Sequence, residues 1–461
     1  MSQTTAIHGE KISLLRVLGP AHVWALGVGI VLVGEYMGWN FAVGKGGAIA
    51  ALIACWVAGL LYTCVAMIDS EVTSTVAAAG GQYAQAKHIV GPLMAFNVGL
   101  YLVFAYTMLE AANAITLGYL VQTVGQMAGF ADAHDKPFIV LTIVFLAWLN
   151  YRGVYATLTV NLILTAIAFI AVVVLFTAVR PWSTEMLHHK ELLTGLPYGW
   201  IGVIASLHFG LWYYLGIEGT CQAAEEVRSP ARSLPLGTMT GIITLLIAAT
   251  MTWYLSTGLM PWEYLGQAIT PLFDAARLTS STPLMVLLFI GTMFSTLASA
   301  NGCINDASRA WFSMGRDRYL PAWFGAVHPG TRTPFRSIVF LVPVALIFAY
   351  FAPLDQVITF SILSGLLGYT YMSLQVIMFR RKWPLTSIKR GYVHPFHPIP
   401  AIVLLAICST TYFAVFLGYG TQLVAMMIFF IVASLWFHFH RYKYVRRGDQ
   451  FTMNWPRPMG V

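Results

Sequence analysis

Apolar residues run through this chain in long blocks, not in narrow stripes or strict alternation. A membrane-spanning helix needs ~20 mostly apolar residues. Twelve such blocks are legible, at 20–43, 48–70, 92–122, 137–152, 157–179, 197–225, 236–258, 283–307, 336–352, 356–379, 398–417 and 421–439. None alternates with the period of two that marks a barrel strand. Two blocks, 137–152 and 336–352, are short. They stay separate because fusing either with a neighbour would bury Arg152 or Asp355. The pattern predicts an all-α membrane protein with twelve transmembrane helices.

The basic residues orient it. With the N-terminus inside, 21 of the 26 Lys and Arg fall in alternate connections. Those connections carry Lys11 and Arg16, Lys87, Arg152, Arg228 and Arg232, then the clusters 309–336, 380–390 and 441–457. The other side holds Lys45, Lys136, Arg180, Lys190 and Arg277. Such a split is the positive-inside signature. It predicts cytoplasmic termini, with tails at 1–19 and 441–461, and a multi-pass protein of a bacterial cytoplasmic (inner) membrane. Residues 1–19 hold no apolar core like that of a secretory signal. The longest connections are ~20–30 residues, too short for a soluble domain.

Composition agrees. The 461 residues are 58% hydrophobic and 10% charged, against ~25% charged in soluble domains. This excludes a soluble enzyme, a disordered chain and a disulfide scaffold. The net charge of +8 is explained by orientation and needs no nucleic-acid partner. The expected partners are the lipid bilayer and a transported solute. Cys55, Cys64, Cys221, Cys303 and Cys408 lie in or beside apolar blocks, an odd buried set that argues against disulfides. His394 and His397, each followed by proline, read as a structural loop and not as a metal site. No span carries a metal-binding or catalytic set, so neither an enzyme nor a cofactor is expected.

Two blocks do not look like plain helices. The first contains Gly27, Gly29, Gly34 and Gly38 around Glu35. The sixth reads Gly210-Leu211-Trp212-Tyr213-Tyr214-Leu215-Gly216-Ile217-Glu218-Gly219. Each Gly costs a helix ~1 kcal/mol against Ala. Unwinding in mid-membrane is tolerated only where the freed backbone lines a cavity. A pair of Gly-interrupted spans at corresponding positions points to a secondary transporter's binding site. Close helix packing is the plainer use of such glycines. The carbonyls near Gly216 and the amides near Gly34 are candidate ligands.

Three carboxylates sit well inside predicted spans: Glu35, Glu110 and Glu218. Each costs ~2.5–3.5 kcal/mol on insertion scales, and no Lys or Arg is expected at their depth. Such charge calls for a cation or a proton. At 4 Å and an effective dielectric of ~20, a carboxylate and an ammonium attract by ~4 kcal/mol before desolvation. Aromatic faces attract ammonium groups too, and Trp212, Tyr213, Tyr214, Tyr101 and Tyr106 lie on the same spans. The expected substrate-binding set is Gly34, Glu35, Tyr36, Tyr101, Trp212, Tyr214, Leu215, Gly216 and Glu218. Glu218, Glu110 and His208 are the candidates for proton coupling. The alternative use of the acids is protonated, as hydrogen-bond glue between helices.

Several stretches resemble the amino acid–polyamine–organocation permease superfamily. Trp212 to Gly219, followed by Ala223-Ala224-Glu225-Glu226-Val227-Arg228-Ser229-Pro230-Ala231-Arg232-Ser233-Leu234-Pro235, resembles its broken helix and "EE-x-K-N-P-x-R-x-I-P" loop. Ala307-Ser308-Arg309 through Phe312, Met314, Arg316, Asp317 and Pro321 resembles its "ASR-x-x-F-x-M-A-R-D-G-x-L-P" stretch. Ala79-Gly80-Gly81-Gln82-Tyr83 is similar to the loop after its second span. Within the superfamily, Gly34-Glu35-Tyr36-Met37-Gly38-Trp39-Asn40 and Gly216-Ile217-Glu218-Gly219 look most like ethanolamine permeases.

The resemblance implies a five-plus-five inverted-repeat fold of the leucine-transporter type, with discontinuous helices 1 and 6 and alternating access. The repeats would cover 20–195 and 196–380, followed by two further helices in 381–440. It also sets the departures in relief. Amino-acid carriers of this superfamily usually keep Gly-small-Gly in the first break, whose amides hold the substrate carboxylate. Here Glu35 and Tyr36 stand in the last two of those places, and Glu35 would repel a carboxylate. The expected cargo is therefore a small primary amine, ethanolamine foremost, imported with a linked proton. A cationic amino acid or polyamine is the alternative cargo, and an amine sensor the alternative class. The fifth span, at Ala156 to Asn161, lacks the Lys of some proton-coupled relatives. Ser295, Thr296 and Ser299 supply hydroxyls that a sodium site would use. Nothing in the sequence fixes an oligomeric state.

Overall fold

The computed structural model describes residues 16–77, 80–130, 134–179 and 195–445, with the side chains of 154–158 left aside. Most of the predicted tails, with Lys11, Arg446, Arg447 and Arg457, lies outside the described residues, as do Ala79, Arg180 and Lys190. The helices in chain order are α1 (Pro20–Val31), α2 (Val33–Tyr36), α3 (Phe41–Gly46), α4 (Ala48–Thr75), α5 (Gln82–Ile89), α6 (Pro92–Met127), α7 (Lys136–Arg152) and α8 (Val154–Val179). They continue with α9 (Gly199–Gly210), α10 (Pro230–Leu259), α11 (Trp262–Leu265), α12 (Pro271–Leu278), α13 (Thr282–Arg316), α14 (Phe335–Phe351), α15 (Leu354–Lys382) and α16 (Ile399–Trp436).

Among the described residues, eight helical runs are long and apolar enough to cross a membrane. Two shorter apolar ones, Pro20–Tyr36 and Phe335–Phe351, accompany them. The chain is thus an all-α, multi-pass membrane protein. The two short predicted blocks are separate 17-residue helices, α7 and α14. The last two predicted spans form one run, α16, interrupted at Tyr419 (φ −141°, ψ 41°). Large apolar side chains such as Trp56, Leu141, Ile163, Phe413 and Phe416 face outward, as a lipid-facing surface requires.

The first helix is the centre of the bundle. Nearly every side chain from Ala25 to Asn40 is buried. Helix α1 packs on α8, α10 and α13, while α6 packs on α13 and α15, and α4 on α10. The basic connections gather at one end. There Lys87 pairs with Asp317 (3.0 Å), Lys382 donates to the His88 carbonyl (3.0 Å), and Arg441 donates to the Arg318 carbonyl (3.0 Å). Lys45 and Lys136 instead cover the rings of Tyr419 and Tyr350.

Two buried ion clusters fasten the basic end. Arg309 on α13 binds Glu226 through Nε (3.1 Å) and Nη2 (2.9 Å), the bidentate geometry that makes Arg–carboxylate pairs strong. The amides of Val17 and Leu18 both donate to the Glu226 carbonyl (2.9 and 3.0 Å). Glu71 on α4 collects Arg380, Arg390 and His394. His394 is thereby a structural partner that ties the connection before α16 to α4. All five cysteines are free and buried.

Candidate functional site

The regular α-helix ends inside both Gly-rich blocks. Val33–Tyr36 stays helical, and the first break comes after it. Met37 is extended (φ −158°, ψ 157°), and Gly38 takes a positive φ of 89°. Gly34 serves close approach instead: a Cβ there would stand 2.5 Å from the Trp212 carbonyl oxygen. The carbonyl released at Met37 accepts the Trp212 indole N–H (2.9 Å). Asn40 accepts from the Gly38 amide (3.1 Å) and donates to the carbonyls of Leu265 and Ala268 (2.7 Å each). The freed backbone is thus resatisfied by side chains, as mid-membrane unwinding demands.

The second interruption is longer. Helix α9 ends at Gly210, and the chain runs through short 3-10 turns at Leu211–Tyr213, Ile217–Cys221 and Ala224–Glu226. Gly216 sits between the first two with φ 111°, a conformation that side chains with a Cβ rarely adopt.

Glu35 is fully buried. Its Oε2 accepts from Thr252 Oγ1 on α10 (3.0 Å). Its Oε1 has no partner among the described residues. Aromatic rings close the space around it. Trp39 stacks on Tyr213 at 5.1 Å, and the Tyr214 hydroxyl meets Cys55 Sγ at 3.2 Å. Tyr213, Tyr214 and Cys55 all lie within reach of the Glu35 charge. Among the described residues no Lys, Arg or His bonds it. The carboxylate is thus half-satisfied and lies among aromatic side chains.

Glu218 occupies an adjoining compartment. Its Oε1 accepts from Tyr369 Oη on α15 (2.8 Å), and its Oε2 from the Gly216 amide (3.2 Å). It shares no hydrogen-bond partner with Glu35. Three tyrosines connect the two compartments: Tyr62 lies 5.7 Å from Tyr214 and 5.2 Å from Tyr369, centroid to centroid. The separation has a backbone cause. Glu35 precedes its break and faces α10, whereas the 3-10 turn at Ile217 swings Glu218 toward α15.

The other predicted residues divide. Trp212 and Gly34 join the two breaks. Leu215 packs against Gly365. Tyr36 is engaged by α8, donating to the Ala168 carbonyl (2.7 Å), and Tyr101 donates to Gln82 Oε1 (2.8 Å). Glu110 is buried with neither carboxylate oxygen partnered among the described residues. His208 stands on α9 against Phe209 and Tyr419, on the Lys45 side of the molecule. Ser295 and Thr296 donate to the carbonyl of Thr292. Ser299 donates to that of Ile30 (2.5 Å), so these hydroxyls bind backbone. Asn161 on α8 donates to the Ala25 carbonyl (3.3 Å).

Several groups were not singled out in the sequence as site residues: Cys55, Tyr62, Thr252, Tyr369, Asp69 and Asp306. Thr, Tyr and Cys in apolar blocks carry no signal of their own. The aspartates do. Asp69 and Asp306 fall at the edges of predicted spans, but α4 runs to Thr75 and α13 to Arg316. Both are therefore interior and buried, and the count of three embedded acids was too low.

The amino acid permease family matches residues 21–448. An uncharacterised transporter of Rhizobium meliloti (strain 1021) is 77% identical over the whole of both chains. The methylthioribose transporter of Bacillus subtilis (strain 168) is 26% identical, with 88% of this chain and 90% of that one covered. Cationic amino acid transporter 6, chloroplastic, of Arabidopsis thaliana is 25% identical, with 89% of this chain and 72% of that one covered.

Proposed function

This chain belongs to the amino acid permease family, a family of transporters and not of enzymes, and we propose that its cargo is a small organic cation held through a protonated amine by Glu35. The observation that carries the reading is Glu35 Oε1, a buried carboxylate oxygen without a donor. It lies one turn from the first break and among the rings of Trp39, Tyr213 and Tyr214. An ammonium group would supply the missing donor and charge. Trp212 and Tyr214 would act as wall and gate between the breaks. The five-plus-five repeat and alternating access are part of the proposal, as are a bacterial inner membrane and a cytoplasmic basic end. Proton linkage would reside in the acids of the second compartment, Glu218 among them.

Two cargoes fit that class. The name of the cationic amino acid transporter supports a cationic amino acid, and none of the relatives above carries the name of an ethanolamine permease. The position of Glu35 favours a cation without a carboxylate, of which ethanolamine is a small example, because two carboxylates at one place repel. Uptake of labelled ethanolamine, lysine and putrescine into proteoliposomes, each with unlabelled competitors, separates them. The proposal expects cations to compete with one another and leucine or methylthioribose not to. Neutral compounds that displace the amines equally well would overturn it. Lysine winning over ethanolamine and putrescine would assign the amino-acid cargo.

A further inference from the structure

The second compartment holds more acid than its surroundings can neutralise. Asp306 on α13 is fully buried and presses against the α-carbon of Gly219, where even a Cβ would overlap its Oδ2. Asp69 on α4 is buried within reach of the Glu218 charge and beside Cys221. The Cys221 thiol donates to the Glu218 carbonyl (2.9 Å). Asp69, Glu218 and Asp306 therefore surround one 3-10 turn, Ile217–Cys221. Arg309 is the cation in reach of Asp306, and its guanidinium is spent on Glu226 and the Asn305 carbonyl. The remaining groups around the acids are Tyr62 from α4, Tyr101, Tyr106 and Glu110 from α6, Cys303 on α13 and Tyr369 from α15. None of these brings a positive charge.

The hydrogen bonds distinguish the three acids. Both oxygens of Glu218 receive donors, from Tyr369 and Gly216. Asp69 receives Thr73 Oγ1 (3.1 Å). Asp306 receives Asn305 Nδ2 at Oδ1 (2.9 Å), while its Oδ2 has no partner among the described residues. Independently, the hydroxyl of Tyr106, on a side chain 2% exposed, also has no partner among the described residues and lies within reach of the Glu218 and Asp306 charges. Tyr106 and Asp306 are not hydrogen-bonded to each other in this conformation; a hydroxyl can accept as well as donate, so Tyr106 would receive the proton of a neutral Asp306 once the two side chains approach.

We propose that Asp69, Glu218 and Asp306 form a proton-binding compartment distinct from the cargo site, in which Asp306 carries the transported proton and Tyr106 positions it. The proton arrives from water on one side of the membrane, binds Asp306 Oδ2, and leaves to water on the other. No electrons move. The inference rests on the reading of Glu35 as the cargo partner, and it assigns the proton to a different acid in a different compartment.

The test uses the full chain in proteoliposomes with a pH-sensitive dye inside, and ethanolamine and putrescine as cargo. Wild type should show amine-driven proton flux. Asp306→Asn should lose at least about tenfold of that flux while amine exchange stays within about threefold, as expected for removal of a titrating group outside the cargo site. Tyr106→Phe should keep exchange and shift the pH midpoint of uptake. Should Asp306→Asn fail to fold, the Tyr106→Phe midpoint and the proton flux of Asp69→Asn decide. Normal proton flux in Asp306→Asn, or an unmoved midpoint in Tyr106→Phe, overturns the proposal. A wild-type protein that exchanges amine without moving protons overturns this inference alone. One that takes up no amine overturns the cargo reading beneath it.

Discussion

Glu226 and Glu35 are equally dry, and they differ in what faces them. Glu226 meets the two-pronged grip of Arg309. Glu71, at the same end of the bundle, has Arg380, Arg390 and His394. Glu35 has one threonine hydroxyl, and Glu110 has nothing among the described residues. Where the chain provides the counter-charge, a buried acid locks elements together. Where it does not, the charge must come from outside, as a cation or a proton. The basic end is thus fastened, and the broken middle is left electrostatically open.

Five substitutions would break or sharpen this contrast. The largest effect is expected at the lock. Arg309→Met alone should destabilise the detergent-solubilised protein by about 3–5 kcal/mol, because it strands Glu226 in a dry site. Adding Glu226→Leu should recover much of that loss. A thermal melt checks both, and an unaffected single mutant would mean the pair is not buried as described. Glu35→Gln should leave the melt unchanged or raised, yet weaken amine binding by about a hundredfold, somewhat less than the ~4 kcal/mol attraction it removes. Equilibrium binding reads this directly.

Thr252→Val should act more gently. It deletes a hydrogen bond of about 1 kcal/mol and should change amine affinity by roughly fivefold, measured in the same assay. The smallest effect belongs to Glu110→Gln. Glu110 lies on α6, facing Cys303 and not the Glu35 box, so amine affinity should stay within about twofold. A large loss there would move the cargo site toward α6 and dissolve the division drawn above.

How much of this was legible beforehand varies by physical cause. Apolar block length located α4, α6, α8, α10, α13 and α15, because lipid imposes length and composition on any helix that crosses it. Glu35 and Glu218 stood out because charge in such blocks is costly. The exact place of the first break did not follow from glycine spacing. Gly34 serves contact with Trp212, whereas Met37 unwinds because Trp212 and Asn40 secure the backbone around it. Thr252, Cys55 and Tyr369 join the acids only through tertiary packing, and a hydroxyl or thiol in an apolar run gives no warning of its neighbour. Asp306 escaped because its helix runs nine residues past the predicted edge, to Arg316.

The central claim is that Glu35 awaits a positive group. An electron cryo-microscopy map of the protein with ethanolamine or putrescine bound tests it most directly. The account predicts the amine nitrogen within about 3 Å of Glu35 Oε1, a charge-assisted hydrogen bond, under the rings of Trp39 and Tyr213. A cargo nitrogen bound elsewhere, with Glu35 still bonded to Thr252 alone, would contradict it.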